Sequence, residues 1–399
     1  MLLQARRLGG RARGARRGAL MSIDLGWDIG GVHLKVACLR SGGGVPPRLV
    51  CRQEAFEIWR APERLEARLR ALLGEVLRDA GCAPGPQDAA PRHAVTMTAE
   101  LSDVFPDRRT GVRSILASSA RALGTPSGDR DPILVLGSDG DLLPMAEAGE
   151  APQRVAAANW SASAWLAARL AARLEPAMEG SAALLIDVGS TTTDIIPLRD
   201  GGADAAGRTD LERLLSGELI YTGFLRTPPC AVADRVPLGE KACRVAPEAF
   251  TIMGDAYLLL GRIGAEQYTV PTPDGRGRGR EESAARLARL VCAEPGDLGA
   301  DRLLAMASFL EDRQTEEIAG GIRQVLSLRP CRATRAIVAG AGYFLAEAAA
   351  RRTGLQPSRL SDLLPSLGDG WDAMAPAAAL ALRLAEARGA RDLIPERRT

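Results

Sequence analysis

The fold is decided by the stretch Leu184-Leu185-Ile186-Asp187-Val188-Gly189-Ser190-Thr191-Thr192-Thr193-Asp194. An apolar run that ends at a carboxylate, turns at a glycine and continues into hydroxyl side chains is typical of a buried strand that leads into a tight turn. Glycine lets backbone N–H groups approach an anion, and the threonine hydroxyls can donate to its oxygens. The stretch therefore predicts phosphate binding at Gly189, Ser190, Thr191 and Thr192. It also predicts that Asp187 and Asp194 hold a hydrated Mg²⁺.

The same pattern occurs earlier in the chain, at Ile23-Asp24-Leu25-Gly26-Trp27-Asp28-Ile29-Gly30-Gly31-Val32-His33-Leu34-Lys35. An Asp, one apolar residue, a glycine turn and a second apolar run are repeated. Two copies predict two lobes that face one phosphate chain, with Gly30 and Gly31 among the phosphate-binding residues.

A third glycine turn, Ala339-Gly340-Ala341-Gly342, follows another apolar strand. It would suit a close approach of backbone to a ligand, which makes Gly340 and Gly342 phosphate-binding candidates. Each turn alone fits a plain hairpin better than a ligand site. The three together, in this order, favour a shared phosphate site.

Lysine is rare in this sequence: Lys35 and Lys241 are the two lysines among 51 basic residues. Lys35 lies just beyond the first glycine loop, where a compact ammonium could reach a phosphate that a guanidinium would overshoot. A structural role explains Lys35 equally well, with its ammonium in water and its aliphatic part covering the sheet. Lys241 has no motif around it and is expected to be solvated.

Composition limits the class of protein. A chain of 399 residues with 46% hydrophobic residues can bury a large core, and we expect two lobes. The net charge of +2 gives no general argument for a nucleic-acid partner.

The seven cysteines are dispersed and form no CxxC pair, which favours reduced thiols in a cytoplasm. No apolar run approaches the roughly 20 residues that span a bilayer, so we expect a soluble cytoplasmic protein. Homo-oligomerisation stays open.

The chain divides into four segments. Residues 1–20 contain six arginines and four glycines and are expected to be a disordered basic extension, with translation beginning at Met21. We place an N-terminal lobe at residues 21–180, a C-terminal lobe at 181–390 and a polar tail at 391–399.

Hydrophobic periodicity predicts an α/β protein. In the first lobe we expect strands within 23–39 on either side of a turn at 26–31, further strands at 49–58, 93–98 and 133–136, and helices at 62–80 and 155–174. In the second lobe we expect strands at 184–188 and 195–198, a short helix at 209–215, and helices at 281–291, 303–328, 344–352 and 376–388 that close the lobe.

Several polar residues follow predicted strands. Glu100 and Asp103 come after the strand at 93–98, and such positions often line the ligand crevice of an α/β sheet. A solvated Glu100 and a helix-capping Asp103 are the alternative. Asn159 can face the cleft or pack beside Trp160. Arg226 follows a glycine turn and could clamp a carboxylate or diphosphate, although an exposed arginine is common in this chain.

The glycine loops resemble those of the actin-like superfamily of sugar kinases and chaperone ATPases, and the second loop is most similar to the hydantoinase A and oxoprolinase branch. Three further segments resemble the tetrahydromethanopterin-linked C1 transfer pathway proteins, a family that includes a methanofuran-biosynthesis synthase. These segments are Met97-Thr98-Ala99-Glu100-Leu101-Ser102-Asp103-Val104-Phe105, Ala158-Asn159-Trp160-Ser161-Ala162-Ser163 and Gly217-Glu218-Leu219-Ile220-Tyr221-Thr222-Gly223-Phe224-Leu225-Arg226-Thr227-Pro228. The resemblance runs from about Ile23 to Leu384. It departs at the basic start and at Ala99 and Ser190, where glycine would be more usual.

The resemblance implies a transferase with a two-lobed actin-like fold. It would join an aminomethylfuran diphosphate to the phenol of a tyramine such as γ-glutamyltyramine, with release of diphosphate. Glu100, Asn159 and Arg226 would bind these substrates, and Mg²⁺ would be the cofactor. A phenol titrates near pH 10, so the reaction gains from a base, for which Asp28 or His33 is the candidate, with Lys35 stabilising the diphosphate.

Two other classes of function fit the same turns. An ATP-dependent kinase or an oxoprolinase-like hydrolase would bind the β- and γ-phosphates and the adenosine in the three turns, with Asp28 or Asp187 orienting the nucleophile. A nucleotide-switched binding protein without catalysis would retain only the clamp. In every case the expected partners are small molecules, with no nucleic acid and no membrane.

Overall fold

The computed structural model describes residues 21–42, 44–82, 90–124, 133–174, 181–328, 332–390 and 393. The strands are β1 (Ser22–Ile29), β2 (His33–Ser41), β3 (Arg48–Ala55), β4 (Arg92–Met97), β5 (Ile133–Leu136), β6 (Leu142–Pro144), β7 (Ser181–Val188), β8 (Thr193–Arg199), β9 (Gly202–Ala203), β10 (Leu219–Ile220), β11 (Arg235–Leu238), β12 (Lys241–Arg244), β13 (Arg332–Ala339) and β14 (Gln356–Arg359). The helices are α1 (Leu65–Asp79), α2 (Arg108–Leu123), α3 (Met145–Glu150), α4 (Pro152–Val155), α5 (Asn159–Leu174), α6 (Asp210–Ser216), α7 (Pro229–Val232), α8 (Met253–Leu259), α9 (Arg280–Arg289), α10 (Pro295–Leu328), α11 (Tyr343–Arg352) and α12 (Ala375–Ala387).

Two sheets are built on one plan. The first has the strand order β3-β2-β1-β4-β5-β6, and the second has the order β10-β8-β7-β13-β14 with β9 paired to β8. In each, an antiparallel hairpin (β1–β2 or β7–β8) is followed by strands that run parallel to its first strand. Strands covered on both faces by helices are apolar along most of their length, as Leu184–Ile186 are. This confirms the duplicated strand-turn-strand core of a two-lobed α/β protein.

The two hairpins also share their register. Asp28 lies directly opposite Lys35, and Asp187 lies directly opposite Asp194. The turns close in the same way, because the Gly30 N–H donates to the His33 carbonyl and the Gly189 N–H donates to the Thr192 carbonyl, each at 2.9 Å. The repeated sequence pattern therefore corresponds to repeated backbone geometry.

The first turn begins later than the sequence suggested. We predicted a turn from Gly26, but β1 continues through Gly26 to Ile29. A Cβ atom at Gly26 would lie 2.0 Å from the Ala377 carbonyl oxygen and 2.8 Å from the Leu380 Cβ. Glycine is therefore needed at this position so that α12 can pack directly on β1, and it marks a close helix–strand contact rather than a turn.

We expected the last helix, α12, to close the second lobe, but it does not. Helix α12 packs on β1, β2 and β4 of the first sheet, and it also contacts α5. Helix α5 in turn contacts β7 and β8 of the second sheet. Both helices are rich in alanine, whose small side chain lets helices approach strands closely. The two helices and the inner faces of both sheets form one core cluster, which fixes the two sheets beside each other.

Other elements differ from expectation in detail. The strand at 133–136 is followed by a further edge strand, β6. The helix expected at 155–174 is divided into α4 and α5, and Ala157 between them has a positive φ of 47°. Helix α10 begins earlier than predicted and is interrupted at Gly299. Residues 1–20, 394–399 and the lobe boundary near residue 180 lie outside the described residues.

Candidate functional site

A cavity of about 750 Å³ lies where the two hairpin turns face each other. Most of the residues that we predicted to act at a site line it. These are Asp28, Gly30, Gly31, His33, Lys35, Asn159, Asp187, Gly189, Ser190, Thr191, Thr192, Asp194, Arg226 and Gly340. Residues that are far apart in the chain therefore line one cavity.

The first hairpin contributes a charged pair. The Lys35 Nζ lies 3.4 Å from the Asp28 Oδ2, as expected for directly opposed residues on neighbouring strands. Asp28 is 3% exposed, and its Oδ1 has no hydrogen-bond partner in the described part of the chain. Burial raises the pKa of the Asp28 carboxyl, while the Lys35 ammonium acts in the opposite direction. One oxygen of a buried carboxylate is therefore available to a ligand.

His33 is held by a residue of the other lobe. Its Nε2 shares a hydrogen bond of 2.8 Å with the Thr269 Oγ1. Burial, and then the charge of Lys35, lower the pKa of His33 to about 4. The imidazole is therefore neutral at pH 7 and a poor proton acceptor there. Of our two candidate bases, Asp28 has the more suitable environment.

The second hairpin contributes two carboxylates. Asp187 accepts a hydrogen bond from the Ser163 Oγ at 3.2 Å, and Asp194 accepts one from the buried Arg213 guanidinium at 2.5 Å. Arg213 also packs on the face of the Trp160 ring, with its Cζ 4.7 Å from the ring centroid. Burial, and then the charge of Asp194, raise the pKa of Asp187 to about 7. Asp187 forms no ion pair within 4.0 Å in the described part of the chain, in contrast to Asp194.

The residues present fit Mg²⁺ in a particular way. Among the described residues, no group of three or more His, Cys, Asp or Glu side chains forms a metal cage. Mg²⁺ is usually held by only one or two carboxylates, with water and substrate phosphate supplying the other oxygens. Asp187 and Asp194 meet that requirement, because they are cross-strand partners at the cavity and repel each other.

The backbone donors of the turns differ from those that we predicted. The N–H groups of Gly30 and Gly189 close their own turns. The Gly340 N–H donates to the Asp372 carbonyl at 3.1 Å, and the Gly342 N–H donates to the Val188 carbonyl at 2.9 Å. Four of the predicted glycines therefore have no N–H group left for a phosphate.

Gly342 does not line the cavity at all. A Cβ there would lie 2.6 Å from the Val188 Cγ1, so this glycine permits α11 to pack against the end of β7. The N–H groups of the other four predicted residues, Gly31, Ser190, Thr191 and Thr192, make no hydrogen bond within the described part of the chain. These four backbone donors are available to an anion.

Arg226 adds a second cation beside the turns. Its Nη1 lies 3.5 Å from the Thr191 Oγ1, and its Cζ lies 5.7 Å from the Trp59 ring centroid. Trp59 lies after β3 of the first sheet and Thr191 lies in the β7–β8 turn of the second, so Arg226 contacts both lobes at the cavity. No carboxylate of the described residues lies within 4.0 Å of its guanidinium. Its charge is therefore available to an anionic ligand, whereas that of Lys35 is shared with Asp28.

The predicted substrate-binding residues occupy different depths. Asn159 lines the cavity, as do Asp103 and the helix-initiating Asp210. Glu100 is 1% exposed and lies behind the cavity wall. Burial, and to a smaller extent the charge of Asp210, raise the pKa of its carboxyl to about 7.

Among the residues of the site that were missed are Ser163, Arg213 and Thr269. Arg213 could not be distinguished by composition from the many other arginines of the chain. Ser163 belongs to a segment that we quoted for its family resemblance, but nothing local showed that its hydroxyl reaches Asp187. Thr269 lies 236 residues from His33 in sequence, so only the tertiary structure shows their contact.

Comparison with known proteins places the chain. A family model described as hydantoinase/oxoprolinase matches residues 92–362. The chain belongs to the hydantoinase/oxoprolinase family. The chain is also 31% identical to the (4-{4-[2-(gamma-L-glutamylamino)ethyl]phenoxymethyl}furan-2-yl)methanamine synthase of Methanocaldococcus jannaschii over 294 residues, which cover 74% of this chain and 79% of that one.

A second relative of this member of the hydantoinase/oxoprolinase family has the same printed name. It is the synthase of Methanococcus vannielii, 40% identical over 124 residues that cover 31% of this chain and 55% of that one. Among solved structures, nucleotide-free acetone carboxylase matches with a TM-score of 0.54 at 12% identity, covering 91% of this chain and 70% of that one. The predicted actin-like fold is confirmed. The structure describes no helix that could span a membrane.

Proposed function

We propose that this protein is a transferase that joins the phenol oxygen of a tyramine derivative to the methylene of an aminomethylfuran diphosphate and releases diphosphate. The observation that supports this most is the cavity between the two turns, which Lys35, Arg226 and four residues with unbonded N–H groups line. The relatives are named for a product that contains a phenoxymethyl-furan ether. Such an ether is what this reaction would form.

The reaction balances without a redox partner. The bond between the furan methylene and the diphosphate oxygen breaks, and that oxygen retains the electron pair. The phenol oxygen forms a bond to the methylene, and the phenolic proton passes to a base. Because the furan ring can stabilise positive charge on the methylene, the main requirements are to stabilise the departing anion and to position the phenol.

The residues of the cavity match these requirements. Lys35, Arg226 and the N–H groups of Gly31, Ser190, Thr191 and Thr192 would bind the diphosphate and stabilise the charge that develops as it leaves. Asp28 would take up the phenolic proton at its free Oδ1, because burial has raised the pKa of its carboxyl and thereby made it a stronger base. Thr269 would fix the orientation of His33 beside the same anion.

We propose that Asp187 and Asp194 hold Mg²⁺ when the diphosphate is bound. The metal would supply additional positive charge to the leaving group. In its absence, Ser163 and Arg213 keep the two carboxylates oriented toward the cavity. We further propose a cytoplasmic location, in keeping with the free thiols of the described cysteines.

The test is an assay of the purified full chain. Aminomethylfuran diphosphate and γ-glutamyltyramine are incubated with and without Mg²⁺, and the ether and diphosphate are measured by mass spectrometry and by a phosphate-release assay. We expect equimolar ether and diphosphate in the absence of ATP. ATP-dependent turnover of a small acceptor, without formation of the ether, would instead support an ATP-dependent kinase or hydrolase. Binding of a non-hydrolysable ATP analogue without turnover of any of these substrates would instead favour a nucleotide-switched binding protein.

A further inference from the structure

Arg213 is a buried cation in the wall of the cavity. It lines the cavity, yet its side chain is only 2% exposed. Its Nη2 donates a hydrogen bond to the Asp194 Oδ1 at 2.5 Å, and its Nη1 lies 4.0 Å from the Asp210 Oδ1. Both of these aspartates line the same cavity. The guanidinium therefore lies between two carboxylates, one of which is a proposed ligand of Mg²⁺.

Several contacts hold this guanidinium in place. Arg213 packs on the face of the Trp160 ring, and its Nη2 also donates to the Glu218 carbonyl at 3.1 Å. A Cβ at Gly207 would lie 2.9 Å from the Arg213 Cγ, so the backbone before α6 packs on the same side chain. That backbone is fixed in turn, because the Gly207 N–H donates to the buried Glu218 carboxylate at 2.9 Å. The positive charge of Arg213 is thus kept beside Asp194.

The two proposed metal ligands differ in what surrounds them. Asp187 accepts a hydrogen bond from the neutral Ser163 hydroxyl, whereas Asp194 is already bonded to a full positive charge. A cation that binds this pair must share the Asp194 carboxylate with the guanidinium. Because the guanidinium is buried, its repulsion of a second cation is screened less than it would be at the surface. Arg213 therefore lowers the affinity of the two carboxylates for a metal ion.

Diphosphate would change this balance. Its proposed donors at 190–192 lie in the turn that connects Asp187 to Asp194, so it would bind beside both carboxylates. Its oxygens can complete the coordination of Mg²⁺, as substrate phosphates commonly do. Its negative charges would also offset the repulsion between the metal and Arg213.

We propose that Arg213 keeps Mg²⁺ from binding to Asp187 and Asp194 alone, so that the metal enters with the diphosphate and leaves with it. This inference rests on the proposed function, because that function places the metal and the diphosphate at these residues. Arg213 is then a positioning residue that acts through Asp194. The released diphosphate would not be retained by a metal ion that stays on the protein.

The experiment is calorimetry of the full chain at pH 8 with three titrants: Mg²⁺ alone, inorganic diphosphate in EDTA, and preformed Mg²⁺–diphosphate. Wild type should bind the preformed complex at least tenfold more tightly than metal-free diphosphate. Arg213→Met removes the charge and retains an unbranched apolar side chain that can pack on Trp160. This variant should bind Mg²⁺ alone at least tenfold more tightly than wild type does.

Three further variants separate the charge of Arg213 from its structural contacts. Arg213→Gln is neutral and can still donate to Asp194, so it should bind Mg²⁺ alone as Arg213→Met does. It keeps the proposal testable if circular dichroism shows that the methionine variant does not fold. Arg213→Lys retains a positive charge and should bind Mg²⁺ as weakly as wild type. Arg199→Met removes an arginine that pairs with Asp204 at 3.7 Å on the same strand, β8, outside the cavity, and should leave the affinity for Mg²⁺ within twofold of wild type.

The outcomes distinguish this proposal from the proposed function. Unchanged or weaker binding of Mg²⁺ by the neutral variants would overturn the proposal, because Arg213 would then only orient Asp194. Binding of Mg²⁺ alone by wild type as tightly as by the neutral variants would overturn it as well. Failure of wild type to bind diphosphate, with or without Mg²⁺, would instead overturn the diphosphate site on which the proposed function depends.

Discussion

Replacement of Lys35 by methionine should affect stability and activity through different contacts. Lys35 lies 3.4 Å from Asp28, a distance at which two unit charges interact by about 5 kcal/mol at an effective dielectric constant of about 20. Lys35 is 23% exposed, so water screens part of this interaction. Removing one partner of a buried pair typically costs about 3–5 kcal/mol, and we expect about 3 kcal/mol here at pH 8.

The loss of stability should depend on pH. Asp28 already has a pKa raised by burial, and loss of Lys35 removes the charge that opposes this rise. A carboxyl whose pKa is higher in the folded than in the unfolded state stabilises the protein less as pH rises from the unfolded value toward the folded one. The difference between Lys35→Met and wild type, measured by urea unfolding, should therefore be smaller at pH 5 than at pH 8.

The loss of activity should not be rescued by restoring stability. Removing one preorganised donor to a developing anion costs about 100- to 1,000-fold in rate, so kcat/KM should fall by about 100-fold or more. In the double variant Asp28→Asn/Lys35→Met, neither position of this pair carries a charge. It should regain most of the stability but none of the activity. Calorimetry with inorganic diphosphate should show weaker binding in both variants.

The other lysine provides a matched control. Lys241 is exposed in β12 and does not line the cavity, so Lys241→Met should change stability by less than about 0.5 kcal/mol and leave kcat/KM within twofold. If Lys35→Met also kept wild-type diphosphate affinity and kcat/KM while losing stability, then Lys35 would serve only to neutralise Asp28. Our account of the anion site would be refuted.

Two further variants test the other sides of the cavity. Asp187→Asn removes the repulsion between Asp187 and Asp194, so the protein should stay folded with an unchanged or higher melting temperature. Calorimetry should show that the variant has lost Mg²⁺-dependent diphosphate binding. Retention of that binding would exclude Asp187 from the metal site. His33→Gln removes a group whose pKa falls from 6.5 to about 4 on folding. Between pH 7.5 and pH 5 the unfolded chain binds a proton at this histidine and the folded chain does not. The free energy of unfolding of wild type therefore falls by about 2 kcal/mol over that range. The variant should lose about 2 kcal/mol less than wild type over that range in urea unfolding, and parallel pH profiles would show that His33 is not desolvated as described.

Local patterns predicted the parts of the fold that local interactions determine. The hairpins β1–β2 and β7–β8 could be identified because a carboxylate, a glycine turn and a second apolar run all lie within one short stretch. The helix α6 was predictable from Thr209 and Glu212, which form the capping box seen in the structure. In these cases, every residue that fixes the element belongs to the element or adjoins it.

The errors arose where a distant segment decides the role of a residue. Gly26 looked like part of a turn, but its small size is required by α12, which lies at the other end of the chain. For the same reason, α12 could not be assigned to the first sheet from its sequence. The N–H groups of Gly340 and Gly342 were candidates for phosphate until the structure showed that the Asp372 and Val188 carbonyls accept their hydrogen bonds.

The duplicated hairpins have different charges at the same position, and this difference explains how charge is distributed in the cavity. The residue opposite the first aspartate is Lys35, whereas the residue opposite the second is Asp194. Asp28 is thus neutralised within its own hairpin, and Asp194 is neutralised by Arg213 from α6. Asp187 is left without a cation on one side, and Arg226 is left without an anion on the other. A ligand that brings an anionic group for Arg226 and a cation for Asp187 would compensate both charges, as a diphosphate with Mg²⁺ would.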